Sequence, residues 1–521
     1  MKRIALLCCV SAMAMACINL EEEVYSSISK DAFFASENLL SIYSARAYTT
    51  LQAWGSEQSM WTMNLQLGNE VTVPMNSVGE WKQDRYAQLQ THNVKINNEL
   101  IERSWEYCFN GIAACNDVMY EIEKRAKDFD GKDRILAEMH IIRAFYYFLA
   151  IDCWGNIPYS VSKEEKGYPE QKGRADMCKF VEDEILKYRD DLAIENTPLY
   201  YGRVTQGMAN TLLAKLYLNS EEWTNTPRWK DAEDACKKVI DSHQYSLCGN
   251  YKDNFKVYNE GSPEAIFSIP YSTVYTESDH NSFILFVLTL DGYLGPTYNI
   301  NSALWDGFVG QPDFFATYDD ADTRRADTWI YGQQFDKTGQ PLHVVIKDKK
   351  TDAITEEFDY IIDPSMEGLV YDKTGRKPTQ GARLGKWEFQ TDGLIESDQT
   401  SMDNDFHVFR YADVILMYVE ALVRQGGTKV AEAAAVPEFQ QIRTRAGLAP
   451  MTAAELTLDN LYTERSHELA LEGWARQDLI RFGKYLEAWW GKPAGQKYMK
   501  LLPIPDAKRA SNPNLNQNDG Y

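Results

Sequence analysis

Histidine is scarce, with seven in 521 residues, and neither an HExxH nor an HxH spacing occurs, so a histidine-built metal centre is not expected. No CxxC pair, GxSxG elbow or phosphate-cradling glycine loop is present, which removes the common redox, serine-hydrolase and nucleotide signatures. Positive charge is in deficit, 54 Lys and Arg against 76 Asp and Glu, and the formal net charge of −22 argues against nucleic acid and against anionic lipid as partners. After the first 16 residues no apolar run approaches the ~20 residues of a membrane span. Neither a metal nor a cofactor is expected.

The N-terminus is what the chain does have. Lys2 and Arg3 precede an apolar run from Ile4 to Ala16, and Ala14-Met15-Ala16 places small residues before Cys17. That order is an export signal rather than a transmembrane helix. Cys17 at the cut resembles a bacterial lipobox, with the cysteine lipidated as the new N-terminus, and several acyl chains make such an anchor stable. Glu21, Glu22 and Glu23 resemble the acidic tag that sends some Bacteroidetes lipoproteins to the outer face of the outer membrane. The expected layout is a signal over 1–16, a lipid-anchored tether over 17–24 and a body over 25–521. Of nine cysteines, Cys108, Cys115, Cys153, Cys178, Cys236 and Cys248 remain in that body without metal-ligand spacing, and they read as small core hydrophobes. A Cys236–Cys248 bridge is left open.

Residues 95–245 read as helices. Leu136, Met139, Ala144, Tyr147, Ile151 and Trp154 make a stripe that predicts a helix packed on one side, stopped by Gly155-Asn156-Ile157-Pro158. Thr205 is placed to cap a helix whose buried face is Ala209, Leu212, Leu213, Leu216 and Tyr217, and a third helix runs from Trp229 to Ser242. Such pairs resemble degenerate tetratricopeptide repeats. Residues 246–404 lose helical periodicity and offer short β runs, Ala265 to Pro270, His343 to Ile346 and Phe358 to Ile362. Helices return over 405–490, in Tyr411 to Arg424, Val436 to Arg445 and Leu458 to Glu472, and the polar end Ser511 to Asn518 is expected to lie over the surface.

Five stretches then resemble the SusD/RagB family of Bacteroidetes surface lipoproteins. They are Trp105-Glu106-Tyr107 with Gly111 and Asn116; Arg143-Ala144-Phe145-Tyr146-Tyr147-Phe148 with Trp154-Gly155-Asn156-Ile157-Pro158; Gly202-Arg203-Val204-Thr205 with its helix; Arg410-Tyr411-Ala412-Asp413; and Glu464-Arg465 with Glu468 to Gly473. Leu502-Pro503-Ile504-Pro505 and Asn512 to Asn518 resemble the family's ending. The resemblance implies a mainly α fold: a tetratricopeptide-like scaffold of about four helix pairs with an irregular lobe carrying short strands. It also implies capture of a poly- or oligosaccharide at the cell surface and its delivery to a SusC-type TonB-dependent transporter. Arg143, Arg410 and the Glu464, Arg465 and Glu468 set read as partly buried ion pairs, since a buried charge needs a partner.

A pyranose face lies flat on an aromatic ring, so exposed aromatics on loops are the ligand candidates. Trp54, Trp61 and Trp81 fall close together among Gly, Asn and Pro, the last in a loop that resembles the family's binding loop, with Asn69, Glu70 and Arg85 beside it and Val78-Gly79 where the family often has two glycines. Trp81 reads either as a ligand platform or as loop packing, whereas Trp54 and Trp61 read as core. A second cluster holds Tyr271, Tyr275, Asp291, Tyr293, Tyr298, Asn301, Trp305 and Asp306, of which Trp305, Tyr298 and Tyr293 are candidate platforms. Arg324 is expected to pair with Asp319 or Asp322. Two alternatives stand beside glycan capture: a peptide- or protein-binding member of the same family, and a secreted glycoside hydrolase, for which no carboxylate pair is singled out.

Overall fold

The computed structural model describes residues 34–74, 84–276, 282–300, 303–348, 350–371, 373–391 and 401–521. Cys17, Glu21 to Glu23, Trp81 and Asn301 lie outside them. The fold is mainly α. Helix α1 is Glu37–Tyr48, α2 Met60–Leu67, α3 Glu99–Arg125, α4 Lys132–Trp154, α5 Arg174–Tyr188, α6 Gln206–Thr224 and α7 Trp229–Ile240. After a long irregular excursion come α8 Tyr411–Gln425, α9 Pro437–Arg445, α10 Leu458–Glu468 and α11 Ala475–Arg481.

Each helix from α3 to α8 packs on the next, and α9 and α10 both pack on α8, giving a repeat-like stack. The chain leaves this stack after α7 and re-enters it at α8, so the irregular lobe is an excursion between two neighbouring helices. Two strands close its base. Strand β2 (Ala265–Ile269) pairs antiparallel with β4 (Phe406–Arg410), and all ten residues are buried.

Local signals account for several ends. Asn98 caps α3 by accepting from the Leu100 and Ile101 amides, and Thr205 Oγ1 accepts from the Met208 amide at 3.4 Å to start α6. Gly155, at φ +69°, ends α4. Helix α3 approaches α4 closely at Gly111, where an added Cβ would stand 2.2 Å from the Tyr146 ring.

Helix α4 departs from the one-sided helix that its apolar stripe predicts. It is buried around its circumference from Ala137 to Trp154, because the residues off the stripe are paired rather than solvated. Glu138 takes Arg203, Arg134 and the Tyr48 hydroxyl; His140 and Arg143 take Glu184 of α5; Asp152 takes Arg476 of α11. The C-terminal segment also differs from a simple surface tail. Asn518 Nδ2 donates to the Trp154 and Leu502 carbonyls, both at 2.8 Å, tying the chain end to the end of α4. The six cysteines of the described residues are buried and free, which closes the Cys236–Cys248 question against a bridge.

A buried ion network joins lobe and stack. Arg410 donates to Glu472 at 2.7 and 2.8 Å, to Glu264 at 2.8 Å and to Glu468 at 3.1 Å. Arg445 bridges Glu264 and Glu468, and Arg324 bridges Asp322, Glu464 and Glu468, so of the two carboxylates expected for Arg324 it takes Asp322. The cations hold the Glu264 and Glu468 carboxyls below their ordinary range despite full burial.

Candidate functional site

The candidate residues sort by what their polar atoms touch. Trp54 and Trp61 are fully buried core, as expected; Trp61 Nε1 donates to the Leu471 carbonyl at 2.7 Å. Tyr271 is core too, its hydroxyl donating to the Gln52 carbonyl at 2.9 Å. Tyr275 is 90% exposed.

Glu70 and Arg85 depart from the ligand-contact reading. Glu70 is 2% exposed, and its Oε2 accepts from the Leu471 amide at 3.0 Å. Burial pushes its carboxyl up to about 8, against the partial relief of that amide and of Lys386. Arg85 bonds Glu99 at 2.6 Å and lies over the Tyr86 ring, so its guanidinium staples local segments together. Asn69 is partly exposed, with Oδ1 accepting from the Tyr462 hydroxyl at 3.5 Å.

Three members of the second cluster, Tyr293, Tyr298 and Trp305, are half-buried on the lobe and pack against the core. The short helix Gly295–Tyr298 carries Tyr298, whose ring meets Phe389 edge-on at 5.1 Å; burial pushes the phenol up to about 12. The Tyr293 ring lies 6.1 Å from Phe358 and 6.3 Å from Tyr360. Trp305, partly buried, packs against the edge of the core. Its segment is sewn to the preceding one, with the Trp305 amide donating to Val287 O at 2.8 Å and the Phe308 amide to Leu288 O at 2.8 Å. Phe335, 47% exposed, adjoins, since Thr297 Oγ1 donates to its carbonyl at 2.9 Å.

One pairing links this surface to the other candidate loop. Strand β1 (Val71–Thr72) pairs antiparallel with β3 (Val309–Gly310), and the Gln311 amide donates to the Glu70 carbonyl at 2.9 Å. The stretch leading toward Trp81 therefore starts beside the stretch that follows Trp305. Phe389, buried against Tyr298, and the half-exposed Phe335 escape a sequence reading, because each stands outside the aromatic clusters it singled out. Among the described residues no group of three or more His, Cys, Asp or Glu is arranged to hold a metal ion, and no helix is long and apolar enough to cross a membrane.

The geometry defines a helical-repeat protein that presents a lobe of partly exposed aromatics. The SusD family model matches residues 253–521, and a second model, described as starch-binding associating with outer membrane, matches residues 20–218. The chain belongs to the SusD family. It is 27% identical over 418 residues to the starch-binding protein SusD of Bacteroides thetaiotaomicron, covering 74% of this chain and 72% of that protein. A SusD-like protein of Bacteroides ovatus is 23% identical over 472 residues, covering 87% and 77%. In fold, the chain is similar to surface glycan-binding protein A from Bacteroides thetaiotaomicron in complex with laminarihexaose, with a TM-score of 0.72 and 21% identity over 93% of this chain and 99% of that one.

Proposed function

We propose that the protein is a cell-surface glycan-binding lipoprotein. Cys17, lipidated before or during removal of residues 1–16, anchors it to the outer membrane, and Glu21 to Glu23 direct it to the outer face. Glycan lies across the aromatic surface of Trp305, Tyr298 and Tyr293, with Trp81 joining from the neighbouring loop and Asn69 at its edge. The bound chain then passes to a SusC-type TonB-dependent transporter, which the lipoprotein covers. No catalytic step is assigned.

The observation that supports this reading is the β1–β3 pairing, which sets residues 71–72 against residues 309–310, a few residues beyond Trp305, on a lobe with half-buried aromatics. The starch-binding and laminarihexaose-bound relatives support saccharide as the ligand class. Calorimetry against maltoheptaose, laminarihexaose and a panel of plant and host oligosaccharides tests it, with product analysis on the same mixtures. Binding of at least one glycan without cleavage is expected. Released fragments would establish a hydrolase, and binding of peptides with no glycan bound would establish the peptide-binding alternative.

A further inference from the structure

The helix stack holds a second cleft, of about 350 Å³, to which no lobe residue contributes. Its walls come from α3, α4, α5 and the loop that follows α4. At its floor Glu184, His140 and Arg143 are each at least nine-tenths buried. Arg143 donates through Nε and Nη2 to Glu184 Oε1, and through Nη1 to Asn116 Oδ1 at 2.7 Å and the Val161 carbonyl at 2.8 Å. His140 Nδ1 lies 2.7 Å from the same carboxylate oxygen and 3.1 Å from Arg143 Nη2. The shorter contact, to an anion, puts the proton on Nδ1, and burial keeps the ring neutral by lowering its pKa, so Nε2 is left an acceptor. Glu184 Oε2 and His140 Nε2 have no hydrogen-bond partner among the described residues. Neither atom is sealed from solvent, and both belong to buried residues that line the cleft, so both open into it.

We propose that this cleft is a second saccharide site: it holds a neutral sugar unit whose hydroxyls donate to Glu184 Oε2 and His140 Nε2 and whose C–H face lies on Tyr159 and Phe180. Those two rings, both half-buried, meet edge-on at 5.0 Å and give the cleft an apolar wall. The loop that carries Tyr159 is fixed before any ligand arrives. The fully buried Tyr147 donates its hydroxyl to the Ser160 carbonyl at 2.7 Å and accepts from the Ser160 amide at 2.9 Å, and Asn116 Nδ2 donates to the same carbonyl at 3.2 Å. The site shares no residue with the lobe, so it stands or falls apart from the roles of Trp305 and Trp81.

The charges around the cleft select the ligand class. An anion finds the Arg143 donors already spent on Glu184, Asn116 and Val161, and Glu123, Glu164 and Glu184 outnumber Arg143 and Lys187 along the lining. Burial alone would raise the Glu184 carboxyl, but its bonds to His140 and Arg143 outweigh that and hold it below its ordinary range, an ionised acceptor. A cation meets rings that the chain's own cations already cover. Lys124 and Lys163 lie over Tyr120, Lys172 over Tyr159 and Lys187 over Tyr188, at 4.7 to 5.3 Å from the ring centroids. A neutral donor remains, and acceptors at the floor beside an apolar wall suit a pyranose, with hydroxyls on its edge and C–H groups on its face. The volume lies at the small end of ligand pockets, room for about one or two sugar units rather than a long chain.

Saturation-transfer NMR on the purified protein tests the site, with glucose, galactose, mannose and N-acetylglucosamine as probes and lysine amide and acetate as charged controls. At least one sugar should receive saturation from the wild type, and equally from Trp305→Ala, in which the lobe platform is gone. Tyr159→Ala should weaken that binding about tenfold. Ser162→Trp fills the cleft from its rim without touching the buried ion pairs, and should abolish it. A melting curve checks the fold of each variant; should Tyr159→Ala fail to fold, Ser162→Trp decides, and should Trp305→Ala fail, Tyr293→Ala replaces it. Transfer to none of the sugars, transfer lost in Trp305→Ala, or transfer unchanged in Ser162→Trp overturns the proposal. Transfer to lysine amide alone overturns it too, because the cleft would then be a cation site. Loss in Trp305→Ala with retention in Ser162→Trp would place all sugar binding on the lobe.

Discussion

Leu471 has a φ of +68°, a conformation that a branched, bulky side chain resists at a cost of about 1–3 kcal/mol. Both of its backbone polar groups are clamped, the amide by Glu70 and the carbonyl by the Trp61 indole. Glu70 is thus a structural clamp, and the sequence could not show this: its partner lies 401 residues away, and a Gly-Asn-Glu loop has the same composition whether it faces solvent or core. Trp54 and Trp61 were legible as core because they stand in apolar stretches. Because the Glu70 carboxyl is raised to about 8, its contribution to stability is complete below the ordinary carboxyl range and declines as pH rises toward 8. Glu70→Gln keeps an acceptor for Leu471 and removes the ionisation. Its melting temperature relative to wild type should therefore climb between pH 5 and pH 8 and level off above, as thermal unfolding across that range will show. A constant difference would mean that Glu70 is already ionised throughout.

At the scale of elements, helix existence was readable from apolar spacing, and the observed α8 and α9 lie within a residue of the expected spans. The full burial of α4 was not. Glu138, His140, Arg143 and Asp152 look like a solvent face in a linear reading, and their partners come from elements 41 to 324 residues distant. The pairing of Arg410 followed from its resemblance to the family pattern; that it would lock the base of an excursion, at the end of β4 and the start of α8, required the topology. Arg410→Met leaves Glu264, Glu468 and Glu472 short of their shared cation, and loss of one partner of a buried ionic set costs about 3–5 kcal/mol. Denaturant unfolding should show that loss. A change under about 1 kcal/mol would mean that Arg445 and Lys386 suffice for the three carboxylates.

For the whole molecule, the lobe leaves the helix stack between α7 and α8 and presents its aromatics on irregular chain, which separates the helical scaffold from the proposed ligand surface. The sequence offers an irregular texture over 246–404, yet the approach of residues 309–310 to residues 71–72 depends on a two-residue strand pairing that no periodicity reveals. Membrane attachment is a separate claim with its own check: Cys17→Ala should leave the outer-membrane fraction, and retention there with protease accessibility on intact cells would refute the anchor. The central claim is that Trp305 and Trp81 bind ligand rather than pack the core. Losing a well-buried aromatic contact to a sugar costs about 1.5–3 kcal/mol, which is a Kd weaker by roughly 10- to 150-fold. The decisive measurement is calorimetric titration of Trp305→Ala and Trp81→Ala with the best glycan of the panel, paired with a melting curve for each. Binding lost at an unchanged melting temperature is predicted; a melting temperature lowered by several degrees with full binding per folded molecule would contradict it.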